Sequence, residues 1–171
     1  MRSFHSVKVK EVRAETADCV SIALDIPRSL EETFGFAAGQ YLTFRHAING
    51  EDIRRSYSLC SSPGEGEWRV AVKQVPGGRF SSFANSMLKA GDILEVMPPM
   101  GNFVLPAPVA QRKNYVAFAA GSGITPILSI LKTVLQKEPE SRFTLIYGNS
   151  RTDTIIFLEE LEALKNVHLG R

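Results

Sequence analysis

Only two cysteines occur in these 171 residues, Cys19 and Cys60, far apart and in no Cys-x-x-Cys pattern. Thiolates therefore assemble neither a zinc site nor an iron–sulfur cluster from this sequence, and buried thiols are the simpler expectation. Histidine is equally sparse: His5, His46 and His168 have no second histidine or carboxylate at ligand spacing, so no metal site is expected. An excess of one charge is also missing, since the formal net charge is +2 and basic residues are scattered among acids. That leaves no basic stripe for nucleic acid. No apolar run approaches the roughly 18 residues that cross a membrane, and Met1 to Lys10 alternates polar and apolar residues, unlike the apolar centre of a signal peptide. A cytoplasmic location with no membrane and no nucleic-acid partner is expected. Nor is there a Ser-His-Asp set or a paired-carboxylate pattern to suggest hydrolytic chemistry.

What is present is ordinary globular composition, 44% hydrophobic and 22% charged, with no repeats and no low-complexity segments. The length suits one domain with room for a second, incomplete one. The first hundred residues read as strands: Phe4–Val12, Cys19–Ile26, Gln40–His46, Asp52–Cys60 and Trp68–Val75 alternate or run apolar. Asn49-Gly50 fits a hairpin turn, while Ser62-Pro63-Gly64 and Pro76-Gly77-Gly78 mark strand ends. One helix interrupts them, over Arg79–Ala90, before a sixth strand at Ile93–Met97. Short strands in this number imply a barrel or a sandwich.

The pattern then changes. A linker over 107–113 separates residues 1–106 from residues 114–171, where Tyr115–Ala120 is an apolar strand and Ile124–Lys137 an amphipathic helix. A second strand at Phe143–Tyr147 and a helix at Ile155–Lys165 follow, with Thr152, Asp153 and Thr154 as candidate caps. Strand alternating with helix implies a parallel sheet. A mononucleotide-binding half needs about three strands, and Val167–Leu169 reads as the start of the third, so this unit is expected to be a truncated α/β domain or a fragment of one. An exposed apolar sheet edge and a tendency to associate should accompany it.

Three clusters carry candidate chemistry. Gly121-Ser122-Gly123-Ile124-Thr125-Pro126 lies between an apolar strand and a helix, where glycines permit close backbone approach and free N–H groups attract a phosphate. Pro126 suits the first helical turn. Arg54-Arg55-Ser56-Tyr57-Ser58 sets a guanidinium fork and an aromatic ring two residues apart on one strand face, one for phosphate oxygens and one for a flat heterocycle. Gly77-Gly78-Arg79-Phe80-Ser81-Ser82 is a second glycine turn opening a helix. Taken singly, these also read as a plain strand-to-helix turn, an exposed arginine pair beside a half-buried tyrosine, and an N-capped helix. Together they suit a chemistry that needs two pyrophosphate sites.

In order, Arg55-Ser56-Tyr57-Ser58, Gly78-Arg79-Phe80-Ser81, Pro99-Met100-Gly101-Asn102-Phe103 and Gly121 to Pro126 resemble the motif series of the ferredoxin–NADP reductase superfamily. Phe36 to Tyr41, Val72-Lys73, Ala119 to Pro126 and Tyr147-Gly148-Asn149 look most like its reductases of phenylacetate degradation. The resemblance implies a six-stranded antiparallel FAD-binding barrel followed by the truncated start of a parallel α/β NAD(P)-binding domain. It implies an NAD(P)H-dependent FAD oxidoreductase that takes hydride at flavin N5 and passes electrons singly to an oxygenase or iron–sulfur partner protein.

By the same resemblance Arg55 binds the FAD pyrophosphate with Ser56 beside it, Tyr57 stacks on the isoalloxazine, and Ser58 hydrogen-bonds near N5. Main-chain groups of Val72 and Lys73 touch the flavin edge, and Gly78, Arg79, Phe80, Ser81 and Ser82 hold phosphates. Gly121, Gly123 and Thr125 meet the nicotinamide nucleotide, NADPH or NADH. Arg151 reaches a 2′-phosphate, or Asp153 accepts from a 2′-hydroxyl, or both are solvated loop charges. The superfamily's late Cys-Gly motif and a ferredoxin-like cysteine cluster do not occur in the sequence, so a [2Fe-2S] cluster is expected only with a further C-terminal domain. A different class of function is a flavin-binding electron-transfer or regulatory subunit that does not turn over.

Overall fold

The computed structural model describes residues 3–105 and 112–171. Six strands form the first sheet: β1 (His5–Thr16), β2 (Cys19–Asp25), β3 (Tyr41–Ile48), β4 (Glu51–Ser58), β5 (Trp68–Lys73) and β6 (Ile93–Met100). All pairings are antiparallel, in the order β4-β3-β6-β1-β2-β5. The two edge strands meet where Leu59 bridges Val70, which closes the sheet into a barrel and leaves little unpaired edge. Alternation fills its interior: Val7 and Val9, Leu42 and Phe44, Leu94 and Val96 are fully buried at every second position. At the β3–β4 hairpin Asn49 and Gly50 have φ of 52° and 79°, the left-handed pair that a two-residue turn needs.

Helix α1 (Arg79–Ser86) plugs one end of the barrel with Phe80 and Ala84. It ends at Ser86 rather than Ala90, because the Leu88 amide bonds back to the Phe83 carbonyl at 3.1 Å and the Lys89 amide to Asp92 Oδ2 at 3.0 Å. Gly91, at φ 95°, then turns the chain into β6.

The second unit pairs β7 (Asn114–Ala120) in parallel with β8 (Arg142–Gly148), joined by α2 (Ile124–Lys137), with α3 (Leu158–Val167) after them. Most of the expected linker, residues 107–111, lies outside the described residues. The sequence suggests a single apolar face for α2, yet Thr125, Ser129, Ile130 and Thr133 are buried as well. The physical reason is a second partner, the barrel wall. Ser129 Oγ donates to the Ser61 carbonyl at 2.6 Å, Ser62 Oγ to Gln136 at 3.0 Å, and Cys19, Cys60 and Ala71 pack with Ile124, Leu128, Ile156 and Phe157. The same contact buries β2 on both faces. Burial raises the thiol pKa of both cysteines, that of Cys19 to about 12, so they behave as small apolar side chains.

Three expectations fail in this half. Helix α3 starts at Leu158 instead of Ile155, because Thr152–Thr154 forms a 3-10 turn and the buried Phe157 takes a left-handed φ of 63° at the helix entrance. None of Thr152, Asp153 and Thr154 caps it; Thr154 Oγ1 donates to the Arg151 carbonyl instead, at 2.7 Å. Val167 ends α3, and residues 168–170 form a turn rather than a strand. Exposed apolar surface does accompany this two-stranded sheet, both of whose strands are edges: Val116, Phe118 and Ile146 are 60%, 72% and 51% exposed.

One ion cluster, centred on the buried Arg69, ties the barrel wall together. Arg69, on β5, donates to Glu67 at 2.8 Å and to Ser21 Oγ at 2.9 Å, and it also bonds Glu11. The hydrogen bond from Arg69 holds the Glu67 carboxyl below its ordinary 4.5 against the opposing effect of burial, and it lowers Glu11 likewise. Both carboxylates therefore add stability that is fully present above pH 4.5 and is lost as the pH falls through their lowered folded-state values. Arg69→Met should flatten that acid limb in denaturant titrations run across pH, and an unchanged pH profile would count against the cluster.

Candidate functional site

Strand β4 separates its two arginines by alternation. Arg54 faces outward, pairs with Asp52 at 2.8 Å and lies 5.4 Å from the Phe4 ring centroid. Arg55 projects to the other face with Ile53 and Tyr57, is exposed, and has no carboxylate partner among the described residues. Its Nη1 donates only to the Arg54 carbonyl, at 2.7 Å. Of the adjacent pair, Arg55 alone is available to an anion.

Tyr57 stands two residues on, half-buried, with its ring 5.6 Å from Phe80 and 6.0 Å from Phe44. Burial pushes its phenol up to about 12 against the pull of the nearby Arg55 charge, so it stays protonated at neutral pH. Ser56 points away from this face, where its hydroxyl meets Thr43 Oγ1 at 2.9 Å. It does not join Arg55 and Tyr57. Ser58, half-buried, ends β4 beside the junction with β5.

Helix α1 touches both β4 and β5, and Phe80 in its first turn packs on Tyr57. Gly78 is required there, since a Cβ would come within 2.5 Å of Ser81 Oγ and 3.0 Å of the Val75 carbonyl. The N–H groups that open α1 have no intrahelical acceptor and so form an anion-binding end. The side chains beside them are largely engaged. Ser81 Oγ accepts from the Val75 amide at 3.2 Å and donates to the Gly78 carbonyl, Ser82 Oγ accepts from Gln74 at 3.4 Å, Arg79 pairs with Glu51, and Phe80 is core. Backbone, not side chain, is what this turn offers. Val72 and Lys73 follow on β5: the Val72 carbonyl takes Asn85 Nδ2 at 3.0 Å, and Lys73 pairs with Asp18 at 3.5 Å.

Sequence reasoning missed the cleft beside that turn, about 490 Å³ between α1 and the β3–β4 hairpin. His46 stacks on Phe83 there with centroids 4.3 Å apart. The pair is 37 positions apart in sequence, and no local pattern announces it.

The third cluster lies against β5 from the other unit. Gly121 takes φ 50°, and a Cβ at Gly121 or Gly123 would meet nothing within 4 Å, so both backbones face open space. Thr125 is buried, its hydroxyl donating to the Ser122 carbonyl at 3.0 Å. Because β7 and β8 are parallel, the loop after β8 emerges on the same side as this turn. It carries Arg151, whose guanidinium is ion-paired with Asp153, both side chains exposed.

The geometry is that of a flavin barrel meeting a nucleotide fold, and family comparison agrees. Residues 6–105 match the oxidoreductase FAD-binding domain, and residues 118–171 match the oxidoreductase NAD-binding domain. The chain belongs to this reductase family. It is 46% identical over its whole length to one of the subunits of the 1,2-phenylacetyl-CoA epoxidase of Escherichia coli (strain K12), of which it covers 48%. Over 91% of its length it is 38% identical to the ferredoxin reductase component of 3-ketosteroid-9-alpha-monooxygenase of Rhodococcus rhodochrous, of which it covers 44%. Among solved structures, a ferredoxin NADP+ reductase from Neisseria gonorrhoeae with bound FAD and NADP superposes with a TM-score of 0.79 at 26% identity, over 96% of this chain and 65% of that one. This family member thus spans about half the length of the curated relatives it matches. Its own residues fit FAD: a guanidinium with no carboxylate partner among the described residues and a half-exposed aromatic ring share one face of β4, and that ring packs on the first turn of α1. Among the described residues no group of side chains could hold a metal, and no helix is long and apolar enough to cross a membrane.

Proposed function

We propose that this chain works as an NAD(P)H-dependent flavoprotein reductase component that delivers electrons to an iron–sulfur or oxygenase partner protein, in the oxidation of phenylacetyl-CoA or a similar aromatic thioester. The observation that carries the reading is Arg55, a cation with no carboxylate partner among the described residues, on the same strand face as the Tyr57 ring, which itself packs on Phe80 in the first turn of α1. Residues 1–106 form the flavin unit and 114–171 the nucleotide unit, with 107–113 between them. Two of the relatives named above, a subunit of an epoxidase and the ferredoxin reductase component of a monooxygenase, support the choice of partner. A cytoplasmic location accords with two free, buried thiols.

Each residue has a physical task. Arg55 neutralises pyrophosphate charge together with the N–H groups of residues 79–81. Tyr57 covers one face of the flavin ring while its packing on Phe80 fixes the ring plane. Ser58 supplies a hydroxyl at the flavin edge, and Val72 and Lys73 line that edge with main chain. Gly121, Gly123 and Thr125 would hold the nicotinamide nucleotide at the turn that opens α2, positioning it for hydride transfer. Bound FAD supplies the redox chemistry, accepting two electrons and releasing them singly. Anaerobic addition of NADPH or NADH to the FAD-loaded protein should bleach the flavin absorbance. Flavin that binds and is reduced by neither would favour a non-catalytic binding subunit.

The Arg151–Asp153 pair bears on the choice of coenzyme. Asp153 neutralises the guanidinium that a 2′-phosphate would meet. Asp153→Asn should raise the ratio of NADPH to NADH affinity by about tenfold, in proportion to one freed charge-assisted contact. An unchanged ratio would remove Arg151 from the nucleotide site.

A further inference from the structure

Tyr147 lies half-buried on β8, on the side that faces α2, and its hydroxyl donates to the Gly121 carbonyl at 2.8 Å. The same phenol oxygen is approached by the Ile156 amide and the Asn149 side chain. Asn149 Nδ2 is enclosed yet completes no hydrogen bond among the described residues. One hydroxyl therefore ties β8 to the turn at the end of β7, with both ends of the loop that carries Arg151 and Asp153 nearby.

The consequence follows from peptide geometry. In a trans peptide the carbonyl and the next N–H point in opposite directions. The Gly121 carbonyl, held by Tyr147 together with the Ile124 N–H, turns the Ser122 N–H the other way, and the Ser122 carbonyl, held by Thr125 Oγ1 together with the same Ile124 N–H, does likewise for the Gly123 N–H. These N–H groups open the helical segment and have no intrahelical acceptor. The glycines beside them face open space, which leaves the route to them clear.

We infer that Tyr147 is a positioning residue for the pyridine nucleotide, helping to hold the Ser122 amide in its anion-facing orientation beside the Gly123 amide that Thr125 fixes. The inference rests on the nucleotide-binding reading above and assigns Tyr147 no contact with the ligand. Phenylalanine at this position keeps the ring packing and removes only the hydroxyl. With FAD-loaded protein, Tyr147→Phe should weaken NADP+ or NAD+ binding by about tenfold in calorimetric titration, the worth of one net hydrogen bond. FAD affinity should stay within twofold, and KM for the reduced coenzyme should rise with kcat at saturation preserved. Equal nucleotide affinity in the variant overturns the inference, and so does an equal loss of FAD affinity, which would mark a merely structural residue. Failure of the unsubstituted protein to bind either nucleotide would remove the underlying reading and this inference with it.

Discussion

Replacing Arg55 with alanine weakens FAD binding to the flavin-free protein by about tenfold to a hundredfold, measured by quenching of flavin fluorescence. The magnitude is that of a hydrogen bond to a charged group, about 1.5–3 kcal/mol. Arg54→Ala is the control, because Arg54 is already committed to Asp52 and to the Phe4 ring on the other face of β4. Its loss changes FAD affinity less than twofold. Equal effects of the two substitutions would mean that alternation along β4 does not select the cofactor-binding guanidinium. The same strand geometry makes Ser56 dispensable for FAD, since its hydroxyl is turned to Thr43.

The largest loss of stability is expected at Gly39. Its φ of 98° disfavours any L side chain, and a Cβ there would lie 2.1 Å from the Phe103 carbonyl oxygen and 3.3 Å from the Ile130 methyl. Backbone stands on one side and the α2 core on the other, so neither neighbour can yield cheaply. Gly39→Ala should destabilise the fold by about 3–5 kcal/mol, combining overpacking with an unfavourable backbone conformation. In a chain of this length that lowers the melting temperature by about 6–20 °C. Gly50→Ala tests the conformational part alone, because its φ is also positive but a Cβ there meets nothing within 4 Å. Its effect should be near 1–2 kcal/mol. Comparable losses at both positions would mean that the Phe103 contact carries no weight.

Local chemistry in the sequence was enough to locate most elements. The limits of α2 follow from apolar spacing and the glycines before it, and the β3–β4 turn follows from Asn49-Gly50. What stayed hidden depends on partners distant in sequence. The burial of Ser129 and Thr133 reflects the barrel wall, for which an amphipathic pattern contains no sign. The start of α3 shifts because Phe157 is drawn into the second core and takes a left-handed backbone that bulky residues seldom adopt. Val167–Leu169 reads as a strand by composition, while in the structure Val167 ends α3 and the two residues after it turn.

The candidate site divides in the same way. Residue types in Arg55, Tyr57 and the two glycine turns announce a dinucleotide, but which groups remain free is decided by contacts. Arg79 and Arg151 look like phosphate ligands in the sequence and are held by Glu51 and Asp153 in the fold. Ser81 resembles a phosphate hydroxyl and instead braces the turn whose backbone faces outward. Tyr147 belongs to an apolar strand by pattern, and only the parallel pairing of β7 with β8 brings its hydroxyl to Gly121.

Amide hydrogen exchange of the protein with and without FAD tests most directly whether β4 and the opening of α1 grip one cofactor. Exchange should slow together at residues 54–58 and 78–82, with β1 unchanged, and subsequent addition of NADP+ should protect residues 121–125. Protection by FAD confined to the nucleotide unit, or absent from residues 78–82, would contradict that convergence.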